Sequence, residues 1–283
     1  MFNKDDSAQM ILITGFAIGI SIVFLTVMLN NVIYSSNMAS ESSIDTYRFD
    51  YSNAIKISSD AAGDAFTNAT ENQSFNSDIF NQYMSSYVQR ISNLYAYSGL
   101  AVSVKNSSVK DAYLTDNGIK NGISNWTIVD NINTTDNFLL YLSNSTDVQG
   151  DQNNSFKISA INQSDTLIWS VKLYNESGDI NVTVTNKTGT ITTDTKSDIY
   201  QMDIINNSID GNSFSFNFDE SINNDSYYLK INNGKYLIGQ VVLSGKLINN
   251  QDFTVERLKV TRLNINMSSN TKRVNATVPV TLP

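Results

Sequence analysis

The spacing of apolar residues changes near residue 100, and that change limits the chain to helices first and sheet after. Before it, Ile44, Tyr47, Tyr51, Ala54, Ile55, Ala61, Ala62, Ala65 and Phe66 recur mostly at gaps of three and four. That spacing makes one stripe along a helix of about 3.6 residues per turn. Phe75, Ile79, Tyr83, Tyr87, Ile91 and Leu94 make a second stripe. Beyond residue 100 the side chains alternate instead, as in AVSVKN at 101–106, FKISAI at 156–161, TLIWSVKLYN at 166–175, INVTVTN at 180–186 and FSFNF at 214–218. Such runs, bounded by Asn, Asp and Gly, are half-buried strands. Asn233-Gly234, between 227–232 and 235–243, predicts a two-residue hairpin turn. Many short strands with no long helix between them predict an α+β chain whose later part is a mainly antiparallel, sandwich-like sheet domain.

The first helical stretch is preceded by MILITGFAIGISIVFLTVML at 10–29, which carries no charged residue. Twenty apolar residues span roughly 30 Å as a helix, the thickness of a bilayer's hydrocarbon core. The expectation is therefore a transmembrane helix acting as a signal anchor. It would continue into an amphipathic stalk over Asn31–Ala69, then a second helix near 76–98. Its partner would be the lipid bilayer, and Gly15 and Gly19 offer a small-xxx-small face for helix-to-helix self-association. The domain division that follows is a polar leader at 1–9, the membrane helix at 10–29, stalk and second helix at 30–98, and a β-rich extracellular domain at 99–283. A softer boundary falls at 188–202, where TGTITTDTKSD is polar and turn-rich.

Orientation rests on the long remainder. It contains 15 Asn-X-Ser/Thr sequons, at Asn68, Asn72, Asn106, Asn125, Asn133, Asn144, Asn153, Asn162, Asn175, Asn181, Asn186, Asn206, Asn224, Asn266 and Asn275. This density predicts an exported, single-pass cell-membrane protein whose C-terminal domain is extracellular and carries N-linked glycans.

Composition narrows the chemistry. The chain has no Cys and no His, which excludes disulfides, thiol catalysis, His-ligated zinc and Ser-His-Asp hydrolysis. A net charge of -8 argues against nucleic acid as a partner. No phosphate loop or nucleophile elbow is present. Asp219, Glu220 and Asp225, or Asp147 with Asp151, are the densest acidic groups, but neither has the spacing of a calcium loop. Trp126 and Trp169 are the aromatics a carbohydrate-binding or hydrolytic domain would expose, and their apolar neighbours Ile128 and Ile168 place them in strand cores instead. No catalytic, cofactor-binding or metal-ligating residue is assigned, no cofactor is expected, and the chain reads as non-enzymatic. Its charge is uneven: residues 41–227 carry 10 basic and 23 acidic side chains, and 228–283 carry 8 and 2. The basic C-terminal segment, with Arg257, Lys259, Arg262, Lys272 and Arg273, is a candidate docking face for envelope partners or another copy.

Gln9, the run Met10–Leu29 and the Asn31–Ala69 stretch together resemble the N-terminal architecture of archaeal type IV pilin-like and signal-anchored cell-surface proteins. In that family an apolar helix continues into a stalk and a β-rich outer domain. The resemblance implies assembly through the apolar helices, or retention as a minor or membrane-held relative. The leading reading is a membrane-anchored structural or interaction protein of the cell envelope. The other readings are a filament subunit or minor pilin, and a carbohydrate-binding ectodomain.

Overall fold

The computed structural model describes residues 4–71, 74–222, 225–270 and 272–283. Two compact units are present, Met1–Lys56 and Ile57–Pro283.

One helix, α1 (Lys4–Ala69), supplies the first unit and enters the second. The side chains of 4–14, 17, 31 and 34–46, including Ile44, lie outside the described residues. Among the described residues no helix is long and apolar enough to cross a membrane. This overturns the expected transmembrane helix at 10–29. The lipid bilayer as partner, the signal anchor, the single-pass location with an extracellular C-terminus and self-association through an apolar helix all depended on that span. None of them stands.

The amphipathic stalk is corrected as well. Within the second unit a continuous buried face appears only at Ser58, Ala61, Ala62, Ala65, Phe66 and Ala69. A stripe needs a surface to pack on, and here α2 (Ser77–Ala96) provides it over the last turns alone. Ser58 Oγ and Tyr87 OH lie 2.9 Å apart, and Phe66 stacks on Phe75 with ring centroids 5.2 Å apart. The helices are joined through the short pair β1 (Thr70–Glu71) and β2 (Ser74–Phe75). Asn76 caps α2, its side chain accepting from the Asp78 and Ile79 amides.

The strands follow as β3 (Ala101–Asn106), β4 (Lys110–Asp111), β5 (Trp126–Tyr141), β6 (Phe156–Asn162), β7 (Leu167–Glu176), β8 (Asp179–Asn186) and β9 (Gly189–Lys196). Then come β10 (Gln201–Asp203), β11 (Ser208–Ile209), β12 (Asn212–Ser213), the single turn α3 (Phe218–Ile222), β13 (Tyr227–Asn232), β14 (Gln240–Leu247), β15 (Asp252–Arg257), β16 (Lys259–Ser268) and β17 (Arg273–Leu282). They build two sheets. The small one runs β17-β16-β3 with β4 also on β16, and α2 lies against β3, where Ser92 Oγ donates to the Val102 carbonyl at 2.7 Å. The large one has 11 strands in the order β12-β11-β10-β5-β13-β6-β7-β8-β9, with β14 on the other side of β5 and β15 beyond it.

The fold is mixed α+β, and the large sheet is one curled antiparallel half-barrel rather than half of a sandwich. Its apolar face is not covered by a second sheet. The segment 199–222 fills it instead, bringing Ile199, Ile204, Phe214, Phe216, Phe218 and Ile222 onto Phe138, Trp169, Val171, Val182 and Leu229. Trp169 and Phe218 meet edge to face at 4.9 Å, and Phe138 packs on Phe218 at 5.7 Å. The expected hairpin at Asn233-Gly234 does not form either. The long β5 stands between its two arms, pairing with β13 on one side and β14 on the other. Gly234 is needed for another reason, since a Cβ there would sit 2.0 Å from the Leu114 carbonyl oxygen.

Candidate functional site

The large sheet has a second face, and its middle is basic. On β6, β7, β8 and β13 the apolar residues alternate with Lys157, Ser159, Ser170, Lys172, Thr183, Thr185 and Lys230, so strand geometry puts these seven on the face away from the core. Register orders them into rows. Thr127, Lys230, Ser159, Ser170 and Thr185 follow one another across five strands. Beside them run Asn232, Lys157, Lys172, Thr183 and Thr193.

Lys157 and Lys172 are thus direct cross-strand partners, whose Cβ atoms stand about 4.5–5.5 Å apart in such a pair. Lys230 faces Ser159, one alternation along from Lys157. All three lysines are half-buried, while Ser159 and Ser170 are buried in the floor beside them. Burial first, and then the Lys172 charge, hold the Lys157 amine below its ordinary value. Lys172 Nζ donates to the Gln152 carbonyl at 3.0 Å and stands 5.1 Å from the Tyr174 ring centroid. The ion pairs among the described residues are Lys196–Asp194 and Lys259–Asp111, and none of the three lysines takes part in one.

Carboxylates appear only at the margins of this face. Glu176 lies four residues beyond Lys172 on β7, about 13 Å along the strand. Asp165 accepts from Tyr228 OH at 2.7 Å at the other end, where Asp130 also bears on Tyr228. The centre is three cations, none of them in an ion pair among the described residues. Such a surface attracts and seats an anion.

The residues singled out from sequence go elsewhere. Asp147 accepts from the Ser143 and Asn144 amides at 2.7 and 3.2 Å, and Asp151 from those of Asn153 and Asn154. Both carboxylates are occupied as turn caps. Asp219 and Glu220 lie in the first turn of α3, and burial raises the Asp219 carboxyl above its usual range. No group of three metal-ligating side chains occurs among the described residues. Trp169 is wholly buried, its indole donating to the Phe216 carbonyl at 2.7 Å, and Trp126 donates to the Leu114 carbonyl at 3.0 Å. Neither offers a sugar platform.

The basic C-terminal segment does not make one docking face. Arg257 turns inward, with Nη1 on the Thr115 carbonyl at 2.7 Å, Nη2 on the Asp116 carbonyl, and its guanidinium 4.4 Å from the Trp126 ring. Lys259 pairs with Asp111. Lys259 and Arg262 are three apart on β16 and so project to opposite faces. Lys272 and Arg273 sit at the β16–β17 turn, beside a shallow recess of about 440 Å³.

The sequons are also partly structural. Asn181 is buried, its carbonyl accepting from Thr195 Oγ1 at 2.9 Å, which leaves no room for a glycan there. Asn72 and Asn224 lie outside the described residues.

The chain matches no protein-family profile, no curated protein and no solved structure. The resemblance to pilin-like and signal-anchored surface proteins is withdrawn with the membrane span that carried it. With it go the envelope, filament-subunit and carbohydrate-binding ectodomain roles.

Sequence reasoning passed over Lys157, Lys172 and Lys230. The signal was present: each lysine occupies an alternate position in an otherwise apolar strand, in FKISAI, SVKLY and YYLKI. What the sequence does not carry is the register that brings three separated strands side by side.

Proposed function

We propose that this chain is a non-catalytic binding protein, and that the lysine face of its large sheet takes an anionic ligand. The observation that supports this reading is the direct pairing of Lys157 with Lys172, with Lys230 beside them and no ion pair to any of the three. Like charges placed opposite each other on neighbouring strands weaken a sheet. A bound anion removes that repulsion and gains charge-assisted hydrogen bonds. Ser159 and Ser170 are buried beneath the lysines, and Ser170 Oγ lies 2.8 Å from Thr185 Oγ1. None of these hydroxyls has an activating base, since the chain has no His and the nearest carboxylates lie at the margins of the face. Binding without turnover fits that inventory.

The test compares two triple variants of equal charge change for binding to immobilised polyphosphate across a salt series. K157Q/K172Q/K230Q removes the face. K187Q/K196Q/K246Q removes three lysines from other positions. The first is expected to weaken binding at least tenfold and flatten the salt dependence, and the second to change it less than twofold. Equal losses in the two variants would refute the reading.

A further inference from the structure

The ligand's chemistry can be narrowed, on the premise that the lysine face is a binding face. Four features bear on it. First, the face has no arginine, so it lacks the planar fork that holds a carboxylate by two parallel bonds. Its cations are ammonium groups, compact point charges with three donors each, which suit an oxyanion that offers acceptors in several directions. Second, three cations are clustered. The two oxygens of one carboxylate cannot serve three ammonium groups and the flanking hydroxyls together, whereas the terminal oxygens of a tetrahedral group can. Third, Lys230 sits diagonally across from Lys157, since Lys230 pairs with Ser159 and Lys157 with Asn232, so the three ammonium groups stand on three adjacent strands. Fourth, the cluster is local: Asn232 and Thr183 flank the lysine pair, with neither charge nor apolar bulk.

We infer that the face holds a tetrahedral oxyanion, the terminal phosphate or sulfate group of a monoester, seated among Lys157, Lys172 and Lys230. A phosphate monoester carries about −1.5 to −2 charges near neutrality, and a sulfate monoester about −1. Either relieves the repulsion between Lys157 and Lys172, and phosphate does so more fully. Thr183, half-buried and paired with Lys172, is placed to add a neutral donor to an oxygen that the ammonium groups leave free. The remainder of the ligand extends over the Thr183 and Thr193 side, away from the carboxylates Asp130 and Asp165 at the Tyr228 end.

The experiment uses the full chain with ¹³C at lysine Cε and follows the lysine signals during titration. The four probes are inorganic phosphate, inorganic sulfate, acetate and chloride at matched ionic strength. The Lys157, Lys172 and Lys230 signals are expected to move saturably with phosphate and sulfate at concentrations at least tenfold below those needed for acetate, while Lys187 follows ionic strength alone. The two sources separate by pH: phosphate affinity rises between pH 6 and 8 as its second proton leaves, and sulfate affinity does not. A response to acetate equal to that for phosphate and sulfate overturns the tetrahedral assignment and leaves the anion-binding reading intact. Failure of all four probes to move these signals, together with equal polyphosphate binding by the two triple variants, overturns both.

Discussion

Lys157 and Lys172 face one another across β6 and β7 with no carboxylate between them. Opposed like charges are destabilising by about 0.2–1 kcal/mol in a sheet, and here both are also half-buried. K157M should therefore stabilise the unliganded protein by up to about 1 kcal/mol at pH 7, read from urea unfolding. The sign of the pH dependence follows from the lowered Lys157 value. Between that lowered value and the ordinary 10.5, the unfolded chain binds more protons than the folded one, so the wild type gains stability as pH rises. The advantage of K157M should be greatest at neutral pH and fade as pH climbs towards 10.5. A constant advantage across that range would contradict the account.

Arg257 is a structural cation. Its two hydrogen bonds hold the carbonyls of Thr115 and Asp116, and its plane lies over Trp126. R257A leaves those carbonyls without their donors, a loss of about 1–3 kcal/mol. It should release the 112–125 loop, so trypsin should cut after Lys120 much faster than in the wild type. R257K keeps the charge without the fork and should fall between the two.

Two glycines should respond in opposite directions. A Cβ at Gly245 would stand 2.0 Å from the Thr134 carbonyl oxygen, where β14 slips register against β5. Backbone cannot yield there cheaply, and G245A should cost more than about 2 kcal/mol. Gly63 lies within α1 with nothing within 4 Å of a Cβ. G63A should stabilise by about 0.5–1 kcal/mol, the helix preference for Ala over Gly. Thermal melts of both variants test the pair.

Trp169 is the buried aromatic hub, with Phe138 and Phe218 edge-on to it and its indole bonded to Phe216. W169F keeps most of the packing and orphans the Phe216 carbonyl, for an expected loss of about 1–3 kcal/mol. The blue-shifted part of the tryptophan emission should vanish with it, and W126F should leave that part in place.

Local geometry was legible in the sequence where one period governed a whole element. INVTVTN became β8 because Val182 and Val184 share the core face. The helix expected near 76–98 became α2, but its buried face is Phe80, Met84, Ile91 and Tyr95, while Ile79 and Leu94 of the expected stripe are exposed. Long-range partners were not legible. Asn233-Gly234 has the composition of a hairpin turn, yet its arms flank β5, because a strand about a hundred residues earlier offers each of them a better edge. FSFNF reads as a strand, but Phe214 and Phe216 from an irregular stretch, and Phe218 from the start of α3, plug the half-barrel. The lysine face failed to register for the same reason, since its members lie on three strands that only the register unites. The apolar run at 10–29 misled in the opposite way: composition alone suggested a span that the described helix does not supply.

The tie between Arg257 and Thr115 joins residues 142 positions apart. During synthesis the earlier partner leaves the ribosome long before the later one exists. Until then the 112–125 segment has no clasp, and a chain stopped short of residue 257 would expose it permanently. Damage near the C-terminus should therefore show first as a nick less than halfway along the polypeptide.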